Sequence, residues 1–270
     1  MGEIVEFPDT KNLKEKIKTL RENLEELLIE KDNLESIVCE NIKTKYTILF
    51  GGLEYRLYKA YCEYLRLRRK KDMIQAKKNR EEKINIKAIE ADLDNEFIDY
   101  KRKLDEKISE VNNALERSKL KSLSKDEVKE MKKLYRVIVK KLHPDLNPKI
   151  TEAEKELFYR ATECHKHGDL TAIRLIFEIV ESDDAKDETT TAPADSLEKE
   201  ATRLETLVES VQKDIEKIKS TEPYIWEIYL CDENKKNEKL NGLERDIENF
   251  ENAIRTQEEY IKELLGDRDV

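Results

Sequence analysis

The chain has 270 residues, of which 42% are charged and 38% hydrophobic, with only 6 Gly and 5 Pro. So few apolar residues and turn formers exclude a thick core, a sandwich, a barrel and a repeated βαβ fold, and leave long helices. The formal net charge of −9 favours solubility and works against non-specific nucleic-acid binding by the chain as a whole. No stretch approaches the roughly 18 apolar residues of a membrane span, and Met1 to Asn12 lacks the basic-then-apolar layout of a signal peptide. A cytoplasmic protein without a membrane partner is expected. Cys39, Cys62, Cys164 and Cys231 lie far apart with no CxxC pair, which reads as helix-face or core thiols rather than a zinc site or a disulfide framework.

The first periodic segment runs Leu13, Ile17, Leu20, Leu24, Leu27, Leu34 and Val38, a heptad seam interrupted by Lys31. Helical spacing continues through Ile42, Leu49, Leu53, Leu57, Tyr61, Leu65 and Ile74, although Gly51 and Gly52 weaken a helix by about 1 kcal/mol each relative to Ala. Residues 79–85 are the first plausible reversal. A second seam follows at Ile86, Ile89, Leu93, Phe97, Tyr100, Leu104, Ile108, Val111 and Leu115, so residues 10–120 read as an antiparallel coiled-coil hairpin. Residues 43–80 carry twelve Lys or Arg against three Asp or Glu, whereas residues 86–112 carry five against eight, so the two arms attract. The run Arg66 to Lys71, with Tyr55, Tyr58, Tyr61 and Tyr64 nearby, is also open to reading as a basic and aromatic nucleic-acid surface. A charge run on a long helix is more often a solvated face or an inter-helix zipper, and nucleic acid is not the expected ligand.

Residues 121–181 read as a small globular unit. Ser124 to Glu127 is a capping box that starts a helix running to Leu142, where Pro144 and Pro148 stop it. A second box, Thr151 to Glu154, opens a helix through about His165, and Gly168 then suits a C-terminal cap before a short helix through Leu175 and Ile179. Between the first two helices stands His143-Pro144-Asp145, after the basic run Lys132 to Leu142. In the next helix Phe158 leads Tyr159-Arg-Ala-Thr-Glu-Cys-His165. This pattern, over about residues 123–166, resembles helix II, the HPD loop and helix III of a J-domain, the module by which J-proteins engage a DnaK-type ATP-driven chaperone.

The resemblance implies a co-chaperone that stimulates the partner's ATPase. His143, Pro144 and Asp145 would bear on the partner, and Lys132, Lys133, Arg136, Lys140 and Lys141 would dock on it electrostatically. Apart from the resemblance, residues 124–142 hold seven basic and three acidic side chains, an opposite-sign patch in an acidic protein that suits an acidic partner. Leu134, Ile138 and Leu142 recur on one helix face and are expected to pack on Phe158. The pattern also departs from the family. The usual aromatic helix I motif before Ser124 is absent, and the stretch Leu115 to Leu123 is expected to take its place. Ala161, Cys164 and His165 stand where bulkier residues are common, and the glycine/phenylalanine-rich and four-CxxC zinc regions of larger J-proteins are missing.

Residues 182–195 hold no large apolar side chain and read as a flexible linker. Residues 196–266 then form a C-terminal helical hairpin with seams at Leu204, Leu207, Val211, Ile215 and Ile218, and at Leu240, Leu243, Ile247, Phe250, Ile254, Ile261 and Leu264. Residues 13–42 overhang the first hairpin. The expected solution is an intramolecular bundle of 13–42 with 197–220 and 224–265, with homodimerisation through the overhang as the alternative. His143, His165 and His167 lack the spacing of a metal site, and no phosphate loop or nucleophile elbow occurs. An all-α, non-enzymatic protein without a cofactor is therefore expected, its coiled coils serving as adaptor or client-binding arms. The competing reading is a structural scaffold whose J-like unit is inactive.

Overall fold

The computed structural model describes residues 8–119, 123–181 and 194–266. It is all-α: among the described residues there is no strand. The helices are α1 (Pro8–Asn33), a π-helical turn (Leu34–Cys39), α2 (Glu40–Asn79), α3 (Ile86–Glu96), α4 (Ile98–Lys119), α5 (Lys125–Leu142), α6 (Glu152–His167), α7 (Leu170–Glu181), α8 (Ala194–Ser220), a 3-10 turn (Tyr224–Glu227), α9 (Ile228–Cys231) and α10 (Glu233–Leu265). Most of the expected linker, from 182 to 193, lies outside the described residues, as do 120–122.

Two compact units divide the chain, one within Met1–Asn41 and Lys121–Ile225, the other within Ile42–Leu120 and Trp226–Val270. In the first unit one contiguous core joins Ile17, Leu24 and Leu28 of α1, Met131, Tyr135, Ile138 and Leu142 of α5, Phe158 and Ala161 of α6, Ile173 and Ile176 of α7, and Leu197, Leu204, Val211 and Ile215 of α8. Helices α1 and α8 run parallel. Lys16 Nζ meets Glu205 at 2.7 Å, Lys31 Nζ meets Asp214 at 2.6 Å and Lys219 Nζ meets Glu30 at 2.7 Å. Lys31, the residue that interrupts the heptad seam, thus faces a carboxylate of its neighbour and is not left in an apolar layer.

In the second unit α2 and α3 reverse across residues 80–85, with Asn85 capping α3 through Ala88 N–H at 3.2 Å. Farther along the same antiparallel pair, a Cβ added at Gly51 would stand 3.1 Å from Val111 Cγ2, so glycine here admits the close approach of α4. Helix α10 runs parallel to α2. Trp226 stacks on Tyr46 with ring centroids at 4.3 Å, Phe250 meets Tyr61 edge-on at 5.6 Å, and Ile261 packs with Ile74, Ile89 and Leu93.

The C-terminal helices, read from the sequence as one hairpin over 196–266, are divided between the two units: α8 belongs to the first with α1, and α10 to the second with α2. Each helix follows the partner whose side chains fit it. The aliphatic seam of α8 fills the aliphatic seam of α1, while α10 brings Phe250 and Lys239 to the aromatic positions of α2. Of the stretch Leu115 to Leu123, expected to pack on the small unit, Leu123 joins the first unit's core, where α1 also packs, and residues 120–122 lie outside the described residues.

Candidate functional site

Helix α5 starts at the capping box read from the sequence. Glu127 N–H donates to Ser124 Oγ at 3.2 Å, and Ser124 N–H donates to the Glu127 carboxylate at 2.7 Å. Apolar residues at three- and four-residue spacing then bury one face, with Met131, Tyr135, Ile138, Val139 and Leu142 all inside. The opposite face carries Lys125, Lys129, Lys132, Lys133, Arg136 and Lys140, all exposed. Arg136 lies 3.8 Å from Glu25 of α1. Among the described residues Lys125, Lys129, Lys132, Lys133 and Lys140 have no carboxylate within ion-pair distance. Lys141 departs from this face, because its Nζ donates to the Val180 carbonyl of α7 at 2.9 Å. It serves the packing of α5 on α7 as well as the local charge.

His143 ends α5 in an extended conformation, as a residue preceding Pro144 must. The turn that follows is held by its own bonds. Asp145 N–H donates to His143 Nδ1 at 3.1 Å, Leu146 and Asn147 N–H donate to the His143 carbonyl at 3.1 and 2.9 Å, and the Asn147 side-chain amide donates to the Lys140 carbonyl at 2.8 Å. Because Nδ1 accepts, a neutral His143 carries its proton on Nε2. The His143 ring stands edge-on to Phe158 at 4.9 Å, and Leu146 is buried in the core below. Burial holds the imidazole below its ordinary pKa. The Lys31 charge acts in the same sense and Asp145 opposes it.

His143, Pro144 and Asp145 are each half-buried, and the Asp145 carbonyl accepts a hydrogen bond from Arg203 Nη1 of α8 at 3.0 Å. The predicted residues are therefore brought together as a loop at the end of a cationic helix, with α8 against one side.

Beneath the site lies a polar group that the sequence did not signal. Tyr135 donates its hydroxyl proton to the Asp32 carboxylate of α1 at 2.6 Å, and Thr162 Oγ1 is 3.2 Å away. His165 stacks on the Tyr135 ring at 4.1 Å with the planes 7° apart. Burial pushes Asp32 up and His165 down to about 4, the second with help from the Lys132 charge. In the sequence Asp32 is one more acidic residue in an acidic helix, and only its buried partner marks it.

Among the described residues no group of three or more His, Cys, Asp or Glu is arranged to hold a metal ion, and no helix is long and apolar enough to cross a membrane. No family model, curated protein or solved structure matches this chain.

Proposed function

We propose that this protein is a J-domain-like co-chaperone that engages a DnaK-type chaperone through the loop His143-Pro144-Asp145 and raises its ATP turnover. The carrying observation is the placement of that loop at the end of α5, whose exposed lysines lack ionic partners while the loop is braced on Phe158. Uncompensated charge attracts an acidic surface at long range, and the braced loop is presented without a further ordering cost. Lys132, Lys133, Arg136 and Lys140 steer the encounter, and Lys141 contributes charge from its position against α7. ATP belongs to the partner, so the chain itself is not an enzyme and needs no cofactor. The coiled-coil helices then serve as arms for an adaptor or client protein in the cytoplasm, in a monomer or a homodimer.

A second reading has one observation in its favour. The Arg203 bond to the Asp145 carbonyl and the half-burial of the loop suit a J-like unit that serves only as a spacer within a coiled-coil scaffold. One experiment separates the two. Purified wild type is added to the DnaK-type chaperone of the same host and ATP turnover is measured, alongside His143→Gln and Asp145→Asn. The co-chaperone reading expects stimulation that both substitutions abolish while helicity by circular dichroism is retained. Stimulation that survives both, or none from wild type, favours the scaffold.

A further inference from the structure

The loop is held from two directions, and only one of them is needed to shape it. Its form is set from within and by α5, through the four bonds among Lys140, His143, Asp145, Leu146 and Asn147 and the burial of Leu146. The bond from Arg203 goes to the Asp145 carbonyl, which is not an acceptor in any of those four bonds. Among the described residues Arg203 is the only side chain from another helix that hydrogen-bonds to residues 143–147.

Arg203 is itself tightly held. Its Nε and Nη2 donate to Glu200 at 2.8 and 2.9 Å, and Arg21 of α1 donates to the same carboxylate at 3.1 Å. The guanidinium is thus fixed on the α1–α8 pair and aimed at the loop, with its charge engaged by Glu200. It extends no basic surface toward a partner and instead ties the loop to the coiled coil.

We infer that Arg203 is an autoinhibitory clasp, by which α8 keeps the His143-Pro144-Asp145 loop from full engagement until the contact is broken. This inference rests on the co-chaperone reading. A partner that must close around the loop meets α8 on the Asp145 side, so its apparent affinity is reduced by the fraction of molecules in which the clasp is shut. One charge-assisted hydrogen bond to a half-buried carbonyl sets that fraction, which corresponds to about a tenfold effect. The contact also links the helix pair to the loop: whatever binds α1 and α8 and shifts Arg203 also frees the loop, and the reverse holds by linkage.

The test uses the full-length protein with Arg203→Ala, and with Glu200→Gln, which leaves the arginine in place but loosens its grip. Two measurements are made. Hydrogen exchange of the amides of residues 143–147 is followed without any partner, and stimulation of the DnaK-type chaperone is titrated below saturation. The expected result is exchange faster by several-fold in both variants, with half-maximal stimulation reached at about three- to tenfold lower protein concentration. Unchanged exchange overturns the clasp whatever the partner does. Faster exchange with weaker stimulation also overturns it, and makes Arg203 a positioning residue that aids engagement. Absence of stimulation by wild type and both variants counts against the co-chaperone reading and removes the regulatory role with it, even if exchange rises.

Discussion

Two basic helical segments in this protein have opposite electrostatic fates. In α2, Arg66 meets Glu90 at 2.6 Å and Asp94 at 2.8 Å, Arg69 meets Glu96 at 2.8 Å, and Glu90 also pairs with Lys70. Glu90 and Glu96 are accordingly held below the usual carboxylate range by hydrogen bonds from these cations, burial opposing the shift. In α5 the exposed lysines have no such neighbours, since the elements packed on it, α1, α6 and α7, approach its apolar side. Among the described residues, every cation within Arg66 to Lys71 but Arg68 is paired, whereas the exposed lysines of α5 stay open. Composition alone does not separate the two segments, because what differs between them is how much of the charge finds a partner rather than how much charge each carries.

Burial, with help from the Lys132 charge of α5, holds His165 in the core below its ordinary pKa, and this gives the largest expected effect. Unfolded His165 takes up a proton as pH falls through about 6.5, whereas the folded residue resists until about 4. The unfolded state therefore binds protons first, and stability present above that window is lost across it, by of order 3 kcal/mol. His143, also lowered, acts in the same direction. Asp32, raised by burial, acts in the opposite one, because its folded carboxyl protonates before its unfolded one. His165→Phe keeps the stack on Tyr135 and is expected to flatten the decline in urea midpoints measured between pH 7 and pH 4. An unaltered profile would show that some other group controls the acid limb.

Charge reversal tests the open helix directly. On the proposed co-chaperone reading, replacing Lys132, Lys133 and Lys140 by Glu is expected to weaken binding to a DnaK-type chaperone by about a hundredfold at low salt, and less at high salt, with the melting temperature nearly unchanged. Surface plasmon resonance over a salt series reads both features. A loss that is independent of salt would point to misfolding or to a non-electrostatic contact.

The same operation on the neutralised helix should behave differently. Arg66→Glu places a like charge against Glu90 and Asp94 and is expected to cost about 1 to 2 kcal/mol in stability, measured by denaturant unfolding, with no change in chaperone engagement. Equal effects on both properties would erase the contrast between the helices. The smallest effect concerns nucleic acid. With Arg66, Arg69 and Lys70 already paired, DNA is expected to bind only weakly at physiological salt, and Arg68→Glu to change that little in a fluorescence anisotropy titration. Submicromolar binding that this substitution removes would restore α2 as a ligand surface.

How much was legible in the sequence follows from which interactions are local. Helix starts at Ser124, Thr151 and Asn85, the reversal between Asn79 and Ile86, the left-handed cap at Gly168 and the joint burial of Ile138, Leu142 and Phe158 depend on residues close in sequence or on a single face, and periodicity and capping rules reach them. The helical class and the position of the His143-Pro144-Asp145 turn follow from the same local rules. The seams already led to the pairing of 13–42 with 197–220 and to the pairing across 79–85, but a heptad hardly specifies its partner, and tertiary structure alone decided that α10 joins α2. It alone also brought Asp32 under Tyr135 across 103 positions and Arg203 to Asp145 across 58. No local pattern distinguishes that aspartate or that arginine from the many charged residues around them, because what sets each apart is the burial and the bond supplied by a distant helix.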